Sequence, residues 1–242
     1  MKKGGVKLSD KEVLDFIHRK DASYQGKLKS HYNYSRVVSL AHFERLVACY
    51  GMAGSRVAVV SGTEREPELH LVNPSQVELF NFDPSGDQYN LDKEWVRGGG
   101  GFDLVLCNQV IEHIFSPYQA IRNLITLAKP GGYIYITAPT INGIHGEPYF
   151  FSAGYHPRML ERLGEEANLE VIDVGCWGSR KYLLNAVIGN WLTWRQLRRF
   201  WFLRHHYNII IPFDILSDGR ACSEQVITDS WALFKRPCMG SR

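Results

Sequence analysis

The chain has 242 residues, with hydrophobic residues at 45%, aromatics at 12% and charged residues at 22%, a balance that excludes a disordered chain and suits one large α/β domain. Its formal net charge of +3, from 28 Lys and Arg against 25 Asp and Glu, is too small to argue for nucleic acid, and no nucleic-acid partner is expected.

In chain order, the N-terminal lysines give way to Asp10, Glu12 and Asp15 before any apolar run, so no secretory signal is expected and a cytoplasmic location is the expectation. Residues 10–19 (Val13, Leu14, Phe16, Ile17) and 35–50 (Val37, Val38, Leu40, Phe43, Leu46, Val47) carry apolar positions at helical spacing, with Gly51 as a stop. Residues 57–60 predict a short buried strand ending at Ser61-Gly62, 76–82 a second, and 89–91 a weaker third.

The clearest unit runs over 102–136: a strand FDLVLCN, a helix opening at Ser116-Pro117, and a strand after Pro130-Gly131-Gly132. It predicts a parallel βαβ crossover. A helix over 158–168 leads to a strand over 169–176, and 225–234 predicts the last strand. The expected architecture is a single α/β domain: N-terminal helices over 1–54, a core over 55–180, an insertion over 181–222, and a last strand and tail over 223–242. Arg195, Arg198, Arg199 and Arg204 interrupt the greasiest stretch, so no membrane span is expected. The insertion concentrates Trp191, Trp194, Phe200, Trp201 and Phe202 among arginines. Three readings of it stay open: an interfacial membrane helix, a homodimer contact through 190–204, or a cap over an apolar acceptor. Five cysteines, Cys49, Cys107, Cys176, Cys222 and Cys238, are scattered without Cys-x-x-Cys or zinc-spaced His, so no metal is expected.

The stretch FDLVLCNQVIEHIFSPYQAIRNLITLAKPGGYIYITAPT, the loop INGIHGEPYFF and the following RMLERLGEEANLEVIDV resemble class I S-adenosylmethionine-dependent methyltransferases of the bacterial polysaccharide and small-molecule branch. The resemblance implies a Rossmann-like, mostly parallel seven-stranded sheet with helices on both faces, an antiparallel last strand and a helical insertion before it. It also implies S-adenosylmethionine as cofactor and a small-molecule or saccharide substrate. Family members end the first strand in an acid followed by Gly-x-Gly-x-Gly, because bare backbone must approach the cofactor's methionyl tail. Here Val59 takes the acidic position and Gly62 alone remains of the glycines. Ser61, Gly62 and Thr63 are the expected backbone donors.

Asp83, beyond the second strand, is placed to accept from the ribose hydroxyls. Asp92 fits the family's adenine-contacting acid or is a surface acid. Asn108 and Gln109 follow the strand at the crevice edge, where they meet the cofactor or cap the turn beneath. His145, in a Gly-bounded loop beyond the 133–137 strand, is the first candidate for a general base, the bland reading being a residue that shapes the loop. Glu147 orients His145 or acts itself, and His113 is a second candidate or a helix-start histidine packed beneath the cofactor. Tyr149, Phe150, Phe151 and Tyr155 wall an acceptor pocket or belong to the core, and His31, Tyr32 and Tyr34 close over the cofactor or lie on the surface. The expected activity is O-methylation of a sugar, glycolipid or other small metabolite. The alternatives are a non-catalytic scaffold with the same fold, favoured by the eroded glycine loop, and a cofactor site completed by a partner chain.

Overall fold

The computed structural model describes residues 8–85, 88–95, 100–143, 145–178 and 227–238. The elements are α1 (Asp10–Lys20), α2 (Lys27–Ser30), α3 (Tyr34–Tyr50), β1 (Arg56–Val60), α4 (Leu69–Val72), β2 (Gln76–Phe80), β3 (Phe102–Asn108), α5 (Pro117–Leu127), β4 (Ala128–Pro139), α6 (Pro157–Glu166), β5 (Glu170–Trp177) and β6 (Asp229–Lys235). The aromatic, basic insertion over 181–222, with its 190–204 segment, lies outside the described residues. Among the described residues no helix is long and apolar enough to cross a membrane.

Two compact units emerge. One holds Phe43–Gly175 and the strand that starts at Asp229; the other holds the described residues of 8–42, 176–178 and 227–228. In the second, Ser9 opens α1 with a capping box: its side chain accepts from the Glu12 N–H, and Glu12 accepts from the Ser9 N–H at 2.7 Å. Val13, Phe16 and Ile17 form the buried stripe of α1.

The sheet has the order β2-β1-β3-β4-β6-β5. β1 runs parallel to β2 and β3, β3 runs parallel to β4, and β6 runs antiparallel to β4. The expected parallel trio 57–60, 104–107 and 133–137 is thus present, as is the antiparallel last strand. Val105, Cys107, Ile134 and Ile136 face a core completed by Ile121 and Leu124 of α5 and Leu160 and Leu163 of α6. On the other face Phe43 of α3 lies 4.4 Å from Tyr135, centroid to centroid. Burial on both faces explains why these strands read as continuous apolar runs. Gly164 lets α6 lie directly on the Phe234 ring, since a Cβ there would overlap it.

The expected seventh strand is not among the described residues, and the sheet there has six. The 89–91 segment is a turn instead. Asp83 and Gln88 form an isolated antiparallel bridge, and Tyr89 has a φ of 56°, incompatible with a regular strand. Asn123, buried on α5, holds this segment. Its amide donates to the Leu91 carbonyl at 3.1 Å and the Lys93 carbonyl at 2.8 Å, and its Oδ1 accepts from the Trp95 N–H at 3.2 Å. Side-chain hydrogen bonds here do the work of a ladder. At the opposite end of α5, Arg236 donates to the Ile125 and Ala128 carbonyls at 3.0 and 2.6 Å, a charge-matched C-cap. Lys129, at the helix end, pairs with Asp103.

Two outcomes follow. Asn123→Ala should destabilise the chain by about 1–3 kcal/mol, because the buried Leu91 carbonyl, the Lys93 carbonyl and the Trp95 N–H lose their partner together. Gln119→Ala, one turn away, should cost less than about 1 kcal/mol; chemical denaturation compares them. Burial acts to raise the Asp103 pKa, but the Lys129 ammonium and the Arg56 N–H overcome it and hold the carboxyl below its ordinary value. A carboxyl depressed in the folded state stabilises above its unfolded pKa, and that contribution disappears as pH falls through the folded one. Melts taken down from about pH 6 to about pH 2 should therefore show Asp103→Asn losing less stability on acidification than the parent, the difference opening below about pH 4.

Candidate active site

β1, β3 and β4 end together at Val60, Asn108 and Pro139, and the loops that leave them meet on that edge, where parallel sheets bind ligands. Ser61 donates its N–H to the Phe80 carbonyl at 3.0 Å and has a φ of 51°. Gly62 has no room for a side chain: a Cβ would sit 2.7 Å from Val59 Cγ1 and 2.9 Å from Glu66 Oε1. The surviving glycine of the eroded loop is therefore sterically required. The Thr63 N–H donates to Glu66 Oε1 at 3.3 Å, and Thr63 Oγ1 accepts from the Arg65 N–H at 3.2 Å.

Asp83 is exposed; its Oδ1 accepts from the N–H and hydroxyl of Ser85 at 2.9 and 2.7 Å. Asp92 accepts from the Ser116 N–H at 2.6 Å and so ties the turn over 89–92 to the start of α5. Gln109, with φ 54°, donates its N–H to the Thr137 carbonyl at 2.9 Å, and its amide reaches Thr137 Oγ1 and Asp229 Oδ1 at 3.5 and 3.4 Å. It ties β3, β4 and β6 together at their ends. Asn108 Oδ1 accepts from the Thr137 hydroxyl at 3.2 Å, while its Nδ2 is buried without a hydrogen-bond partner.

A short 3₁₀ turn over Ile111–His113 follows β3. Glu112 on it is 1% exposed, and its Oε2 has no hydrogen-bond partner. Its backbone carbonyl accepts from the N–H groups of Phe151 and Ser152 at 3.0 and 3.1 Å, docking the loop after β4 onto the turn. His113 Nδ1 lies 2.6 Å from the Tyr149 carbonyl, and His145 Nδ1 lies 2.9 Å from the Gly143 carbonyl. Carbonyls only accept, so each Nδ1 carries the proton and each neutral ring keeps its lone pair on Nε2. His113 Nε2 is 3.9 Å from Glu112 Oε1, and the two imidazoles meet edge to face at 4.7 Å. Phe150 lies 5.0 Å from His145, and Phe82, beyond β2, lies 6.0 Å from Tyr149.

Among the described residues Glu112, His113 and His145 bring donor atoms within 4.8 Å of one another, a spacing that serves a shared proton or a bound cation. Burial raises the Glu112 pKa; the neighbouring His113 and His145 oppose this, and Asp229 adds to it. Burial also pushes the Cys107 thiol up to about 12, with Glu112 and Glu66 adding to the shift.

The structure thus joins His113 and His145 but sets Glu112 beside them. Glu147, also on the loop, is exposed and lies outside that cluster. Glu112 was not among the expected site residues. Its signal is a carboxylate in the apolar run Val110-Ile111-Glu112-His113-Ile114, directly after a buried strand.

A methyltransferase-domain family profile matches residues 61–174. Ubiquinone biosynthesis O-methyltransferases of Escherichia fergusonii and Escherichia coli K12 are 25% identical to this chain over 142 residues, covering 57% of it and 54% of each relative. The chain spans about half the length of the curated relatives it matches. A solved structure from Galdieria sulphuraria, assigned as a sarcosine dimethylglycine methyltransferase, shares the fold with a TM-score of 0.52, at 14% identity over 94% of this chain and 98% of the other. The matched methyltransferase-domain segment, residues 61–174, contains β2, β3 and β4 of this sheet together with α5, and the fold is the one shared with that solved structure.

Proposed function

We propose that this protein transfers a methyl group from S-adenosylmethionine to a hydroxyl oxygen of a small metabolite, sugars and glycolipids included. The observation that carries the reading is the His145 tautomer: Nδ1 donates to the Gly143 carbonyl, so Nε2 is free to take a proton beyond the end of β4. The similarity to ubiquinone biosynthesis O-methyltransferases supports oxygen as the acceptor atom.

The fold edge suits the cofactor. Asn108 Nδ2 and Glu112 Oε2 are buried polar atoms with no hydrogen-bond partner in the protein. Of the Ser61-Gly62-Thr63 backbone donors, the Ser61 N–H is committed to Phe80 and the Thr63 N–H to Glu66, which leaves the Gly62 N–H; Asp83 would offer the ribose contact and Asn108 an amide. Asp92 is already committed to Ser116, which leaves it a positioning role for the neighbouring turn. S-adenosylmethionine supplies an electrophilic methyl group on a sulfonium. In-line displacement then asks the chain to align the acceptor and remove its proton. His145 Nε2 takes that proton, while the buried Glu112 carboxylate stabilises the positive charge formed on the imidazole pair. Phe82 and Tyr149, ring against ring, limit water at the edge.

His145→Ala should lower turnover by roughly 10²–10⁴-fold with little change in cofactor affinity. His145→Gln keeps a polar contact without the base and should not restore the rate; restoration would assign His145 to positioning. Full activity of both variants in a radiolabelled methyl-transfer assay over a panel of hydroxylated acceptors would refute the base role. Calorimetry showing no binding of S-adenosylhomocysteine, with or without acceptor, would favour the scaffold reading.

The Glu112–His113–His145 spacing also favours a second reading, in which a divalent cation held there activates the acceptor hydroxyl. Chelator-treated, dialysed protein that keeps full turnover rules it out. Glu112→Gln tests the carboxylate's part in either reading: it removes a carboxylate kept from water, so the melting temperature at neutral pH should rise while turnover falls at least about tenfold.

A further inference from the structure

The methionyl end of S-adenosylmethionine carries an ammonium group, which needs a carboxylate once water is excluded. Val59, at the end of β1, is 2% exposed and sits in the sheet between Leu79 and Leu106, so neither its chemistry nor its place serves. The loop that follows, residues 61–68, contains three acids, of which Glu68 is fully buried at the start of α4. Glu64 is exposed, whereas Glu66 is half-buried and folds back over the loop.

Its geometry is specific. The Glu66 N–H donates to the Thr63 carbonyl at 3.2 Å, and Glu66 Oε1 accepts from the Thr63 N–H at 3.3 Å. The same oxygen lies 2.9 Å, and the carboxyl carbon 3.3 Å, from the point a Cβ on Gly62 would occupy. The carboxylate therefore packs against the Gly62 backbone, beside Val59. The adjoining edge is built for a polar ligand: Asn108 Nδ2 and Glu112 Oε2 are buried with no hydrogen-bond partner. Both Glu66 and Glu112 act electrostatically on Cys107 near the end of β3, so both acids belong to this edge of the sheet.

We propose that Glu66 binds the α-ammonium of the cofactor's methionyl tail, a carboxylate supplied from the loop after β1 in place of one at the strand's end. The inference rests on the methyltransferase reading above. The reciprocal Thr63–Glu66 hydrogen bonds would fix the acid before the ligand arrives.

Calorimetry with two ligands tests this on the full-length chain: S-adenosylhomocysteine, which has the amino-acid tail, and 5′-methylthioadenosine, which lacks it. Glu66→Gln should weaken S-adenosylhomocysteine about ten- to a hundredfold while 5′-methylthioadenosine binds as to the parent, since only a charge-assisted contact to the tail is lost. Glu64→Gln should leave both affinities unchanged. Equal weakening of both ligands by Glu66→Gln would assign Glu66 to the loop's structure, and unchanged or tighter S-adenosylhomocysteine binding would mean that it only covers the site; either overturns the proposal. A parent protein that binds neither ligand, even with acceptor present, overturns the methyltransferase reading itself, an outcome distinct from failure of the Glu66 variant.

Discussion

Burial of β1, β3 and β4 on both faces is the constraint from which the rest follows. Once Val105 and Cys107 face α5 and α6, their neighbours Leu104 and Leu106 must be covered from the other side, because successive residues of a strand point opposite ways. Layers on both faces leave the strand ends as the places where polar groups reach the surface. Parallel pairing gathers the ends of β1, β3 and β4 along one line. The candidate site residues Gly62, Asn108, Glu112 and His145 lie at those ends or on the loops that leave them.

That frame is legible in the chain wherever burial is complete. FDLVLCN and YIYIT are apolar without interruption, and their strand character survives any detail of the loops. The helix between them is equally plain, with Pro117 at its start and an apolar stripe through Ile121 and Leu124. The expected third strand failed for a reason outside local pattern. Its place is taken by a turn whose backbone bonds go to the side chain of Asn123, about thirty residues further on. Propensity cannot register a ladder replaced by one distant amide.

The site was legible in part for a similar reason. His145 stands out as a histidine between glycines, and His113 as part of the post-strand turn. What turns two isolated candidates into a constellation is the docking of the loop after β4 on the Glu112 carbonyl, a backbone contact that no residue type announces. Lone carboxylates are hard to rank from residue type alone. Asp92 accepts from the Ser116 N–H through one oxygen, whereas Glu112, hidden among aliphatic residues, is the acid beside the histidines.

Cys107 shows what the architecture gains by keeping a sulfur out of reach. A thiolate is the strongest nucleophile a protein carries, and a methyl sulfonium is an indiscriminate alkylating agent. A cysteine near the end of β3 is therefore a hazard of self-inactivation. Burial pushes its thiol up to about 12, and the nearby Glu66 and Glu112 charges add to the shift, so at neutral pH the sulfur stays protonated and unreactive. The acidic surroundings thus suppress a competing acceptor inside the protein, and they direct alkylation toward whatever enters from outside.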